Sequence, residues 1–498
     1  MGIIARQGIK SSVGFYIGLI LGGINTLFIS TKFLSPDQLG TFRLLNENGL
    51  ILAAFAHLGV PYISDKFFYI FKNDTAKHNG FLSFLLLFPL IGILFTSLTY
   101  YFLQERINGY FMQKSPEILP YLIYILPIGY GWVYFNILES YARCNGRSAI
   151  PTFIKEVILR LLSITCIILL GFDIITFDLF LKLNILIILC LNILMLAYLF
   201  HLNKLYITGF TAIWNRRLIL QMSTFGIVVI VGGIGANLIL FLDRNIIASE
   251  IGTASVAIFA VALYITSVIE IPYKSIRQIS GPILSDLINT GNLSEVENLY
   301  KKSALNLFLV GGIVFSLIVS NLQPLLECLP RSAIYLQGFW VVIIIGMAKW
   351  IDMSLGLNVE IITYSKYYMV YTVLVIIMAI LTVFANLLLI PRYGIVGSAL
   401  ATGGITLISS ISRLIYVNQK FNFSPFGTKY LSIVLLIIII GSIGYLIPHF
   451  GNTFFSNFIE IFTRSMIMLV LSVYAIVRWN ISMDLSQVVN KILAKFRP

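Results

Sequence analysis

The sequence predicts an all-α, polytopic membrane protein of about fourteen transmembrane helices, and three observations predict it. Of 498 residues, 58% are hydrophobic and only 11% are charged, where a soluble domain carries about 25% charged residues. Apolar runs of about 20 residues, enough to cross a hydrocarbon core of about 30 Å, follow one another with short gaps. These runs are continuously apolar and do not alternate every second residue, which selects helices over a membrane barrel.

In chain order the expected spans are 12–31, 42–61, 81–103, 118–140, 154–171, 178–200, 218–241, 252–272, 303–323, 334–355, 367–390, 395–417, 429–448 and 459–478. The short basic segment Met1–Lys10 precedes a full-length span with no small-residue cleavage site, so the first helix is expected to be retained. With the N-terminus inside, about 24 of the 34 Lys and Arg residues fall on the cytoplasmic side and about 9 at outer ends, while Lys349 lies within a span. Such a bias orients both termini to the cytoplasm. The net charge of +13 is therefore topogenic. It is spread over alternate loops and forms no patch, so nucleic acid is not an expected partner. Cys144, Cys166, Cys190 and Cys328 are scattered without a C-x-x-C, and four histidines share no spacing. Neither a disulfide framework nor a metal site is expected.

Start signals mark several spans. Ser35-Pro36-Asp37-Gln38 has a serine N-cap, proline at the first helical position and glutamine at the third, a capping box at the head of span two. Ser115-Pro116-Glu117 and Ser424-Pro425 are expected to open spans four and thirteen similarly. SPDQLGTFRLL (Ser35 to Leu45) matches GTASVAIFAVA (Gly252 to Ala262) in type and position. Each follows a Gly-rich span and leads to one ending near a proline, Pro61 or Pro272. A parallel duplication follows: a six-helix lobe at 1–210, its pseudo-symmetric partner at 211–420, and two extra helices at 421–498, as in transporter folds built from repeats. Gly14, Gly18 and Gly22 on span one, and Gly397 and Ala401 on span twelve, place small residues four apart. They read as close helix packing or as points that flex in a transport cycle.

Ionisable residues inside spans are costly and face a partner or a cavity. Arg43 and Glu47 share one face of span two, and Asp243-Arg244 close span seven. Lys349 and Asp352 lie three apart on span ten, with Glu360 at its inner end and Glu139 near the inner end of span four. Each pair either neutralises itself and holds helices together, or contributes to a central cavity. In the second reading Arg43, Arg244 and Lys349 hold an anionic substrate, while Glu47 or Asp352 exchanges with a proton or sodium ion. No cofactor is called for beyond that coupling ion, and no residue is read as catalytic. Glu270, Lys274 and Arg277 have helical spacing at the cytoplasmic face. There they hug anionic lipid headgroups, or Lys274 and Arg277 admit a lipid diphosphate.

The stretch LDRNIIASEIGTASVAIFAVALYITSVIEIPYKSIRQISGPILS (Leu242 to Ser285) carries an Asp-Arg at a span end, a capped turn, and a proline before a basic helix with a second proline. With Arg143-Cys-Asn-Gly-Arg147 through Pro151 and Glu156, and LLIPRYGIVGSALAT (Leu388 to Thr402), it resembles the bacterial polysaccharide-unit (Wzx-type) flippases. These belong to a superfamily that includes multidrug and toxin extrusion transporters and lipid II flippases. The likeness extends over nearly the whole chain and departs from the family at Ala257, where glycine is common. It implies two six-helix lobes around a central cleft plus two helices. It also implies movement of an isoprenoid-diphosphate-linked glycan from the inner to the outer leaflet of the bacterial cytoplasmic membrane by alternating access. Membrane lipids, a polysaccharide polymerase and chain-length machinery are the implied partners.

The rival readings are a cation-coupled drug exporter, a lipid II flippase, and a membrane glycan polymerase, ligase or glycosyltransferase. A drug exporter would hold organic cations with carboxylates, whereas the candidate cavity carries arginine and lysine. The enzymes usually need a sizeable outer loop with catalytic groups, and here the outer loops are short.

Overall fold

The computed structural model describes residues 3–73, 77–207, 216–449, 451, 453–479, 481–482 and 486, and among these there is no strand. Ten helical stretches among the described residues are long and apolar enough to cross a membrane, and one of them, Tyr368–Phe421, holds two of the expected spans. The other three expected spans are also helical. Two are polar over part of their length, with Arg43 and Glu47 on one and Lys155, Glu156 and Arg160 on the other. Polytopic, all-α architecture is the consequence, since a chain in lipid must satisfy its backbone groups within the segment.

The chain forms two compact units, Met1–Ala257 and Ile258–Pro498. In the first, α1 (Ile3–Gly23) continues through a π-helical turn at Ile24–Ile29 into Ser30–Phe33. There follow α2 (Pro36–Ala56), α3 (Val60–Phe71), α4 (Pro89–Met112), α5 (Ile125–Cys144), α6 (Leu159–Gly171), α7 (Phe177–His201) and α8 (Arg216–Glu250). The start of α2 is set by the capping box the sequence encodes: Ser35 Oγ accepts the Gln38 N–H at 3.1 Å and Gln38 Oε1 accepts the Ser35 N–H at 3.0 Å. The similar Ser115-Pro116-Glu117 signal opens a 3-10 segment, Pro116–Tyr124, with no side-chain cap. Ser115 Oγ instead donates to the Ala248 carbonyl at 2.6 Å, so a tertiary acceptor outcompetes the local one.

Helices in lipid gain little from the hydrophobic effect and associate by close contact and polar bonds. α2 packs on α5 and α8. A Cβ at Gly40 would lie 1.9 Å from the Thr253 carbonyl oxygen, which leaves room for glycine alone. Gly18 shows the packing role expected of span one, because its Cβ would fall 2.7 Å from Glu156 Cβ, whereas Gly14 has ordinary clearance.

In the second unit, α9 (Thr253–Ser267, which begins in the first) leads through a 3-10 turn to α10 (Ile271–Asn289) and α11 (Leu293–Glu327). Then come α12 (Phe339–Met353), α13 (Asn358–Tyr364), α14 (Tyr368–Phe421), α15 (Lys429–Leu446) and α16 (Phe454–Arg478). α14 is two helices joined at Gly394, whose φ of 60° and ψ of −141° only glycine adopts readily. Ser424-Pro425, expected to open span thirteen, lies in an irregular segment, and α15 begins at Lys429 after Thr428. Phe423 is drawn instead into an apolar cluster with Leu284, Tyr300, Ile361 and Val417. The two last helices pack on α11 through Phe308, Ile433, Ile437 and Met468.

Candidate functional site

The first unit buries a polar cluster along α2, where the sequence departs most from an apolar span. Arg43 Nη2 donates to Thr26 Oγ1 at 2.8 Å. One turn on, Glu47 Oε2 lies 2.9 Å from Arg244 Nη1 on α8, and both side chains are nearly buried (14% and 12% exposed). Asn48 Nδ2 donates to Asn245 Oδ1 at 2.9 Å, continuing the seam by one residue on each helix. Asp243 is buried, and its carboxylate accepts the Arg244 backbone N–H at 2.8 Å.

Arg43 and Glu47 share a face but are not each other's partners. An Arg-to-Glu order at four residues is the weaker orientation on a helix, and Arg244 on a neighbouring helix reaches Glu47 without that constraint. Asp243-Arg244 likewise does not close on itself through side chains. Near the predicted inner face, Lys155 Nζ lies 3.2 Å from Glu139, and Arg143 lies 2.8 Å from Asp65. Arg160 pairs with Glu156 at 2.7 Å and donates to the Gly18 carbonyl.

The second unit carries a longer chain of charges. Lys349 Nζ lies 3.1 Å from Glu270 Oε1, and Lys274 Nζ lies 3.5 Å from Glu270 Oε2. One carboxylate thus joins a residue expected in the cavity to one expected at the headgroup entry. Asp352 does not pair with Lys349; it accepts from Arg413 and from Ser410 on α14. Arg277 Nε lies 2.8 Å from Glu360 Oε1, which also accepts the Tyr273 hydroxyl at 3.0 Å. Glu360 is buried while Arg277 is half exposed, and burial raises the Glu360 pKa above the usual carboxylate range against the pull of Arg277. No cluster of three or more His, Cys, Asp or Glu suited to a metal ion occurs among the described residues.

Sequence reasoning missed Arg413, which reads as an inner-loop charge by position although it sits within the expected span 395–417. An ionisable residue inside an apolar run was the available signal. Thr26, Asn48 and Asn245 left no such signal, because neutral polar residues in spans are common.

No family model matches the chain, and no curated protein matches it. Solved structures do. The chain is similar to a structure titled lipid II flippase MurJ in an inward closed conformation, with TM-score 0.69 and 17% identity over 95% of this chain and all of that one. It is also similar to an inward-facing multidrug resistance MATE transporter of the MOP superfamily, with TM-score 0.64 and 14% identity over 83% of this chain and 98% of that one. A MOP-superfamily transporter from Pyrococcus furiosus, described as having a binding pocket of reverse polarity, aligns with TM-score 0.55 and 14% identity over 84% of this chain and 95% of that one. The chain has the multi-pass helical fold of the MOP-superfamily transporters.

Proposed function

We propose that the protein is a flippase that moves an isoprenoid-diphosphate-linked oligosaccharide unit from the inner to the outer leaflet of the bacterial cytoplasmic membrane by alternating access, for polysaccharide biosynthesis. The observation that carries the reading is the Lys274–Glu270–Lys349 chain, in which a cytoplasmic-end lysine and a lysine inside an apolar span share one carboxylate. A diphosphate arriving at Lys274 and Arg277 has a second cation within reach of the same carboxylate. Exchanging Glu270 for phosphate at Lys349 keeps the ammonium paired throughout, which avoids the cost of a bare charge in lipid. Arg43 and Arg244 supply further cations on the first unit, and Glu47 and Asp352 are the carboxylates proposed to couple transport to protons or sodium. Both carboxylates are held by arginine, so a coupling cation would compete with Arg244 or Arg413 for them. The polymerase and chain-length proteins of the same pathway are the proposed partners.

The test is leaflet exchange in vesicles reconstituted with defined isoprenoid-diphosphate glycans. Wild type is expected to flip them, and Lys349→Ala to remain folded in the membrane, block flipping and leave lipid-linked units inside the cell. Normal surface glycan in that variant would sink the assignment. Collapsing proton and sodium gradients should slow exchange; an unchanged rate removes Glu47 and Asp352 from coupling. A second reading, transport of lipid II itself, draws on the likeness to the MurJ structure over 95% of this chain. Preference for lipid II over other glycans in the same vesicles would establish it in place of the first.

A further inference from the structure

Beside the α2–α8 seam, within the first unit, lies a cavity of about 730 Å³. Its walls are apolar: Ile51 and Phe55 from α2, Phe95 and Leu103 from α4, and Ile246 from α8. The two threonine hydroxyls that line it are already bonded to their own helix, for Thr96 Oγ1 donates to the Gly92 carbonyl at 2.8 Å and Thr99 Oγ1 to the Phe95 carbonyl at 2.9 Å. Phe95 is 68% exposed although it also lines the cavity. The cavity therefore opens on the side where α4 shows Leu94, Leu98 and Phe102 outward, a face that only a bilayer would cover.

One charged residue lines this space. Arg106, near the end of α4 that the loop charges assign to the outer face, is exposed and has no carboxylate at ion-pair distance among the described residues. An apolar slot with one unopposed guanidinium at headgroup depth has the pattern of an acyl chain below and a phosphate above. A single cation balances the one negative charge of a phosphodiester; a diphosphate headgroup would be left undercompensated. We propose that this cavity is a lipid site in which one acyl chain of a monoanionic phospholipid fills the slot and its phosphate rests on Arg106. The site does not depend on the transport reading.

The experiment uses the full-length protein in detergent, with bound lipid counted by native mass spectrometry after titration with phosphatidylglycerol or phosphatidylcholine. Wild type is expected to retain phosphatidylglycerol about fivefold more tightly, the factor that about 1 kcal/mol per basic residue gives. Arg106→Gln should bring the two lipids to the same affinity, while Lys114→Gln, an exposed lysine outside the cavity wall, should keep the preference. Thr99→Trp, which fills the slot, should weaken retention of both lipids. Equal losses in the arginine and lysine variants, or an unaltered preference in Arg106→Gln, would overturn the proposal. So would displacement of phosphatidylglycerol by an equal concentration of farnesyl diphosphate, which would give the slot to the isoprenoid lipid.

Discussion

At the scale of single residues, several intramembrane charges are paired across helices, as Glu47 with Arg244, Lys349 with Glu270 and Asp352 with Arg413. Glu47 and Arg244 illustrate the energetics, since each is nearly buried and each neutralises the other. Removing one partner strands a charge, which costs about 3 kcal/mol, whereas removing both is far milder. Glu47→Gln should therefore lower the thermal unfolding midpoint in detergent more than the Glu47→Gln/Arg244→Gln double variant does. If the double variant is the less stable by the sum of the two singles, the pair is not coupled. Glu360 gives a pH signature outside the spans. Burial raises its pKa in the folded protein, so the folded state binds more protons than the unfolded chain above the ordinary value of 4.5. Its contribution to stability is complete below that value and is lost as pH rises through the raised one. Glu360→Gln should flatten this part of the stability-versus-pH curve; an identical slope in both proteins would show that the carboxyl is not the source.

At the scale of elements, the helices were legible because hydrocarbon thickness fixes their length and composition marks them directly. The fourteen expected spans fall mainly on helix, although 42–61 is broken by a turn at 57–59, and 367–390 and 395–417 run together as α14. Caps were legible only where the partner is local. The Ser35 box forms within one turn, while Ser115 finds the Ala248 carbonyl, an acceptor no local pattern reveals. The same division governs the candidate site. Which residues carry charge inside spans can be read from sequence, and Glu270–Lys274 pairs locally at four residues. Who meets Glu47, Lys349 or Asp352 depends on which helices pack, and the answers were Arg244, Glu270 and Arg413. The α14 joint makes a further prediction. A Cβ at Gly397 would lie 2.2 Å from the Leu389 carbonyl oxygen, a contact with backbone that no rotamer relieves. Gly397→Ala should lower the unfolding midpoint measurably, whereas Gly404→Ala, with nothing near its Cβ, should not. Equal midpoints for the two variants would mean that the joint tolerates a wider turn.

At the scale of the whole molecule, the charge bias of the loops predicts one orientation. About 24 of 34 basic residues lie on alternate loops that share a side, and lysine and arginine are retained on the cytoplasmic side during insertion. Arg143, Lys274 and Arg277, all on the side expected to be inner, each have a carboxylate partner. Those partners make the predicted inner face a network, not a bare positive surface, which suits the proposed reversible contact with anionic headgroups. The prediction is that Asn108, in the last turns of α4, faces outside and Thr428, before α15, faces the cytoplasm; both are exposed. In a variant with Cys144, Cys166, Cys190 and Cys328 replaced by serine, Asn108→Cys should react with a membrane-impermeant maleimide in intact cells. Thr428→Cys should react only after the cells are opened. The reverse pattern would invert the molecule, place Lys274 and Arg277 outside, and with them remove the proposed entry of a cytoplasmic lipid diphosphate.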